Sequence, residues 1–167
     1  MSLRTTHILA VVGAVVVFVA TAVTWYTHDV SVSTQAGQVA YSSSKSYTLW
    51  DLTTLAPVLL VIGAALGAAL LLFAPSSSAR AAAAVAGLLG LGITAYCVVK
   101  CFDFPDLGQT GAVSVPLPGG AVGASASTVL DAGPFVGIVG GLLLVASAVG
   151  HTSDAAGTAP GGSSSSQ

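Results

Sequence analysis

The chain has 167 residues, of which 54% are hydrophobic and only 6% charged, where a soluble domain carries about a quarter charged residues; it cannot coat a globule for water, and its apolar surface must face lipid. Four Lys and Arg residues and a formal net charge of −2 exclude the clustered basic footprint that nucleic acid requires. Two cysteines are too few for a disulfide scaffold or a four-thiolate zinc site.

Residues 8–25 form the first uncharged stretch, preceded by Arg4 and rich in valine. In water such a run suggests a strand. In hydrocarbon the backbone must satisfy its own hydrogen bonds, so it is read as a helix. Arg4, the apolar run and Ala20-Thr21-Ala22 also resemble a secretory signal with a small-residue cleavage site. Trp25 and Tyr26 favour a retained span, because aromatic residues at a helix end act as interfacial anchors. The first loop, 27–50, alternates through Val30-Ser31-Val32-Ser33, turns at Ala36-Gly37 and alternates again through Val39-Ala40-Tyr41, which is a hairpin signal. Trp50 at its end is a third expected anchor.

The second and third spans, 55–73 and 81–99, are joined by a short turn holding Arg80. The second loop, 101–132, contains Ala112-Val113-Ser114-Val115 and then Pro116-Leu117-Pro118-Gly119-Gly120; its prolines confine any strand to an edge or a short piece. A lone hairpin is marginal, so the two loops are expected to pair into one small sheet on the helix ends. The fourth span, 133–149, completes the set. Each span approaches the ~20 residues that cross a ~30 Å hydrocarbon core. The tail, 151–167, is mostly Gly, Ser, Ala and Thr and is expected to be disordered.

Arg4 and Arg80 fall on one side of the membrane. Lys45, Lys100, Asp29, Asp51, Asp103, Asp106 and Asp131 fall on the other, together with both long loops, which predicts that both termini are cytoplasmic.

Within the spans, Gly133, Gly137 and Gly141 share one helix face, as do Gly63 and Gly67, and small residues at this spacing let helices approach closely. The stripes are expected either to pack the bundle itself or to form a docking face for another membrane subunit. Cys97 and Cys101 lie one turn apart, so either a disulfide joins them, with the helix frayed at Cys101, or both stay free. His7, His28 and His151 are read as solvated groups beside the spans. Asp103 and Asp106 are read as part of a solvated loop. No charged side chain lies within a span, where pumps and coupled transporters place theirs; the polar groups there are Thr94, Tyr96, Ser147 and a few neighbours. No catalytic, cofactor-binding or metal-ligating set is identified, and the chain is expected not to be an enzyme.

Trp25 at the end of the first span and Leu49-Trp50 late in a large first outer loop resemble the claudin/PMP-type tetraspan architecture. The chain departs from that family in lacking paired loop cysteines, so junction formation is not carried over. The Ala/Gly/Val-rich layout of residues 1–150, with Gly133-Pro134-Phe135 entering the last span, is also similar to small actinobacterial four-helix membrane proteins. Some of these are accessory subunits of Mce-type lipid importers. The expected fold is therefore an all-α transmembrane four-helix bundle, up-down-up-down, with a small external β element, in a bacterial cell membrane. The expected function is that of a non-catalytic accessory or assembly subunit of a larger envelope complex, in contact with membrane lipids and involved in lipid transport. The alternative is a self-assembling channel or lipid-binding tetraspan protein.

Overall fold

The computed structural model describes residues 3–34, 39–103, 111–117 and 120–157. In chain order the elements are α1 (Leu3–Ala22), β1 (Thr24–Ser33), β2 (Val39–Thr48), the one-turn α2 (Leu49–Leu52), α3 (Leu55–Phe73), α4 (Ala79–Phe102), β3 (Gly111–Leu117), β4 (Gly120–Leu130) and α5 (Gly133–Gly157), with a 3₁₀ turn at Ser76–Ser78 between α3 and α4. Helices α1, α3, α4 and α5 are each long and apolar enough to cross a membrane, which makes this a multi-pass membrane protein. Their outward faces carry large exposed apolar side chains such as Phe18, Leu59, Leu88 and Leu142, as lipid-facing helices must.

Helices α1 and α4 begin earlier than expected, at Leu3 and Ala79, and three helix ends differ from the sequence expectation. The first helix ends at Ala22 instead of residue 25, because the Trp25 indole folds back and its Nε1 donates to the Ala20 carbonyl at 2.6 Å. That bond satisfies one of the carbonyls a helix end leaves unpaired. Helix α4 extends to Phe102, so the fraying at Cys101 that a disulfide requires does not occur, and both thiols are free. Helix α5 runs to Gly157 and takes in the first residues of the expected disordered tail. It still has something to bury there, since His151 is enclosed against α1; residues 158–167 lie outside the described residues.

Helix α5 packs between α1 and α4 along seams of small residues. A Cβ added to Gly140 would meet the Val17 backbone nitrogen at 2.8 Å, and one added to Gly141 would meet the Gly90 carbonyl oxygen at 2.8 Å. Helix α3 closes the bundle against α1 and α4 and touches α5 little. Its contacts are looser, the nearest atoms to a Cβ on Gly67 being the Ala86 Cα and oxygen at 3.9 Å.

The two outer loops form one antiparallel sheet in the order β2-β1-β4-β3. The central pair runs from Tyr26↔Leu130 to Ser33↔Gly123 and so joins loop to loop as expected. Strands β1 and β4 continue directly from the packed helices α1 and α5, so the helix pairing hands its antiparallel register to the strands. Asp131 reinforces the corner: its Oδ2 accepts from Thr27 Oγ1 at 3.1 Å and its backbone amide donates to the Trp25 carbonyl at 2.9 Å. The predicted turn at Ala36-Gly37 and the Pro118-Gly119 pair fall outside the described residues. The sheet lies at the end of the bundle opposite the termini.

Candidate functional site

Below the sheet, a groove of about 860 Å³ opens between α3 and α4, within the size range of small-molecule sites. The groove exists because two glycines border it. A Cβ on Gly92 would find nothing within 4 Å, and one on Gly63 would reach only Leu89 Cδ2 at 4.0 Å. Its walls are Leu59, Leu60, Leu88, Leu89 and Ile93, and its upper rim is Tyr26, Tyr47, Asp51, Tyr96 and Lys100. From Lys100 to Leu88 it follows α4 for about 18 Å, taking twelve residues at ~1.5 Å each. That is more than half of a ~30 Å hydrocarbon core. Leu59, Leu88 and Gly92 are themselves exposed, so the groove opens sideways, onto lipid.

Each rim group is held by its own local structure. Thr48 and Asp51 form a capping box: the Thr48 amide and hydroxyl donate to Asp51 Oδ2 at 2.8 and 2.7 Å. This starts α2, and the two hydrogen bonds hold the Asp51 carboxyl below the usual carboxylate range. Lys100 sits in the last turn of α4, where a cation suits the helix dipole, and its Nζ pairs with Asp103 Oδ2 at 2.5 Å. The Tyr26 hydroxyl donates to the Lys100 carbonyl at 2.5 Å and to the Asp103 carbonyl at 3.3 Å. Burial, with the Asp103 carboxylate second, pushes this phenol up to about 12, so it remains a donor at any physiological pH. Tyr47 carries Lys45 Nζ 4.9 Å from its ring centre, a cation–π contact. The groove thus joins an apolar trough to a rim bearing one ammonium, one carboxylate and several phenols.

The residues singled out from the sequence divide among different places. Gly63 lines the groove, whereas Gly67 packs on α4. Gly133, Gly137 and Gly141 are enclosed within the bundle, facing Trp25, Cys97 and Thr94 respectively, so the docking-face reading of this stripe is overturned: its partners are α1, α4 and β1 of the same chain. Trp25 and Tyr26 are fully buried and are not interfacial anchors. The chain turns into β1 directly after α1 and carries both rings inward under the sheet. Trp50 remains 44% exposed, and its Nε1 donates to Thr21 Oγ1 at 3.3 Å. His28 and His151 are 8% exposed each, against the expectation of solvated imidazoles. His28 is satisfied across the sheet, its Nδ1 lying 2.9 Å from Thr128 Oγ1. Asp103 is half of an ion pair, and Asp106 lies outside the described residues. Among the described residues no group of three His, Cys, Asp or Glu side chains is placed to hold a metal ion.

Gly92, Tyr47, Tyr96 and Lys100 as groove residues were not visible in the sequence. Gly92 lies off the small-residue stripes, and an isolated glycine carries no signal until the facing helix is known. Cys97 is buried and Cys101 half-buried, which predicts that a small maleimide labels one thiol per folded chain, at Cys101, and two after denaturation. Labelling of both in the folded protein would contradict the packing of Cys97 against Gly137.

Comparison with family models, with curated proteins and with solved structures gives no match to this chain.

Proposed function

We propose that this chain is a non-catalytic lipid-binding tetraspan protein of the bacterial cell membrane, which holds a membrane lipid in the α3–α4 groove with its acyl part between the helices and its headgroup under the sheet. The observation that carries the reading is the groove itself: an apolar trough, open to the bilayer and ending at a charged and phenolic rim. An amphiphile entering from the membrane meets hydrocarbon along the trough and hydrogen-bonding groups only at the level where the helices end. Both termini are cytoplasmic in this reading, because Arg4 and Arg80 lie at the end away from the sheet and the Asp-bearing loops lie at the other. Service as an accessory or assembly subunit of a lipid-moving envelope complex fits the same groove. It no longer draws support from the glycine stripe of α5, which is occupied inside the bundle.

Gly92→Leu tests the reading. A Cβ there meets nothing within 4 Å, so this groove-lining position admits a side chain without a clash at its Cβ. Native mass spectrometry after mild solubilisation is expected to find a lipid retained on the wild-type chain and absent from the variant, with unfolding midpoints unchanged. A wild-type chain that retains no lipid, or a folded Gly92→Leu chain that retains it equally, overturns the proposal. Blue-native electrophoresis of the same samples reports separately whether another protein co-purifies.

A further inference from the structure

The rim of the α3–α4 groove carries charge of both signs. Lys100 gives one N–H to Asp103 Oδ2 at 2.5 Å, and an ammonium has further donors for a ligand. Asp51 receives the Thr48 amide and hydroxyl on the same oxygen, Oδ2. Its Oδ1 takes no hydrogen bond from the described residues, and the residue is exposed. Among the described residues the one ion pair is Lys100–Asp103, so no cation is bound to the Asp51 carboxylate. Lys45 is near enough for its charge to reach Asp51, but its Nζ lies over the Tyr47 ring. The charges of Lys45, Lys100, Asp51 and Asp103 sum to zero, so this end of the groove has no cationic surplus to complement a net-anionic headgroup.

Resting on the lipid reading of this groove, we propose that its preferred occupant is a phospholipid whose headgroup ends in a primary ammonium, the phosphatidylethanolamine class, with the phosphate at Lys100 and the ammonium at Asp51. Such a headgroup carries one charge of each sign, as do the two rim side chains, and both of these line the same groove. The phosphate takes a charge-assisted hydrogen bond from Lys100. The ammonium donates to Asp51 Oδ1, a bond that a quaternary ammonium cannot make because it has no N–H. Choline is recognised instead by open aromatic faces, and the rings of this rim are engaged. Lys45 Nζ lies 4.9 Å from the centre of Tyr47, Tyr96 lies beside Trp25, and Tyr26 is fully buried. A headgroup that is anionic overall satisfies Lys100 but brings no cation to Asp51.

The test is native mass spectrometry of the full chain from mixed micelles supplied with equal amounts of phosphatidylethanolamine, phosphatidylcholine and phosphatidylglycerol bearing identical acyl chains. The ethanolamine lipid is expected to be retained about fivefold over each of the others, the upper range for an exposed ion pair. Asp51→Asn keeps an oxygen for the Thr48 donors, and so keeps the start of α2, but removes the charge. This variant should still retain lipid, with the preference over phosphatidylcholine reduced to parity. Lys100→Gln should lower retention of all three lipids, because all carry the phosphate. Equal retention of the three by the wild-type chain, or a preference for the choline or glycerol headgroup, overturns the headgroup assignment and leaves the groove as a lipid site. An ethanolamine preference that persists in Asp51→Asn overturns it as well. A wild-type chain that retains no lipid, or a Gly92→Leu chain that keeps both the lipid and the preference, overturns the groove reading and this inference together.

Discussion

Gly141→Leu is expected to break the bundle where α4 crosses α5. A Cβ on Gly141 would sit 2.8 Å from the Gly90 carbonyl oxygen and 3.1 Å from the Thr94 amide nitrogen, and a Cβ on Gly90 would sit 2.8 Å from the Gly141 carbonyl oxygen. These obstacles are backbone of the facing helix, so no change of rotamer relieves them and α4 must move off α5. In lipid no hydrophobic driving force pulls the helices back together; close dispersion contact along the small-residue seam is what holds them. Overpacking a dense core costs about 1–3 kcal/mol, and parting two helices belongs at the upper end, about 3 kcal/mol. Unfolding titrations in mixed micelles, read by circular dichroism, should show this loss. Gly137→Ala should be milder and correctable. Its Cβ would lie 2.5 Å from Cys97 Sγ but 3.7 Å from Cys97 Cβ, so adding Cys97→Ala should restore stability. An unaltered midpoint for Gly141→Leu would mean that α4 and α5 do not cross as described.

Trp25→Ala is expected to loosen the joint between the membrane bundle and the sheet. Trp25 is fully buried, its Nε1 caps α1 through the Ala20 carbonyl, and its ring lies 6.3 Å from that of Tyr96. Its own carbonyl receives the Asp131 amide, and it packs so closely on α5 that only glycine fits at residue 133. Truncating a buried aromatic costs about 3–5 kcal/mol. Trp25→Phe keeps most of the volume but leaves the Ala20 carbonyl without its donor, a loss of about 1–3 kcal/mol. The ordering wild type, Phe, Ala in unfolding midpoint is the expected result; equal midpoints for wild type and Ala would show that the ring does not support the joint. Trp25 and Trp50 are the two tryptophans of the chain, so Trp50→Phe isolates the emission of Trp25. That emission should resist aqueous quenchers, whereas Trp50, at 44% exposure, should not.

These substitutions act through contacts the sequence suggests only by spacing. Gly133, Gly137 and Gly141 fall on one face in any helix, and this much is arithmetic. Whether that face meets α4 of the same chain or a foreign helix depends on how four interchangeable apolar rods are arranged, and their hydrophobic pattern does not distinguish the choices. The same ambiguity affected the aromatic residues. Trp25 and Tyr26 follow a span and look like anchors, but a strand that begins at Thr24 turns both rings under the sheet. The groove depended most on arrangement, since Gly63 and Gly92 create it by what they lack, and a missing side chain signals nothing until the opposite wall is known.

Solvation decided what was legible from residues alone. Uncharged stretches too apolar for water, in a medium that cannot hydrogen-bond the backbone, must be helices, and the loops between them, alternating and flanked by turn residues, need strand partners in each other or in another protein. Those conclusions need no neighbour. Only the tertiary structure decided which small-residue face is enclosed, that His151 is buried with its Nδ1 unmatched, and that a groove opens between α3 and α4 under a polar rim. Each of these depends on distances between segments far apart in the chain, which composition and periodicity leave undetermined.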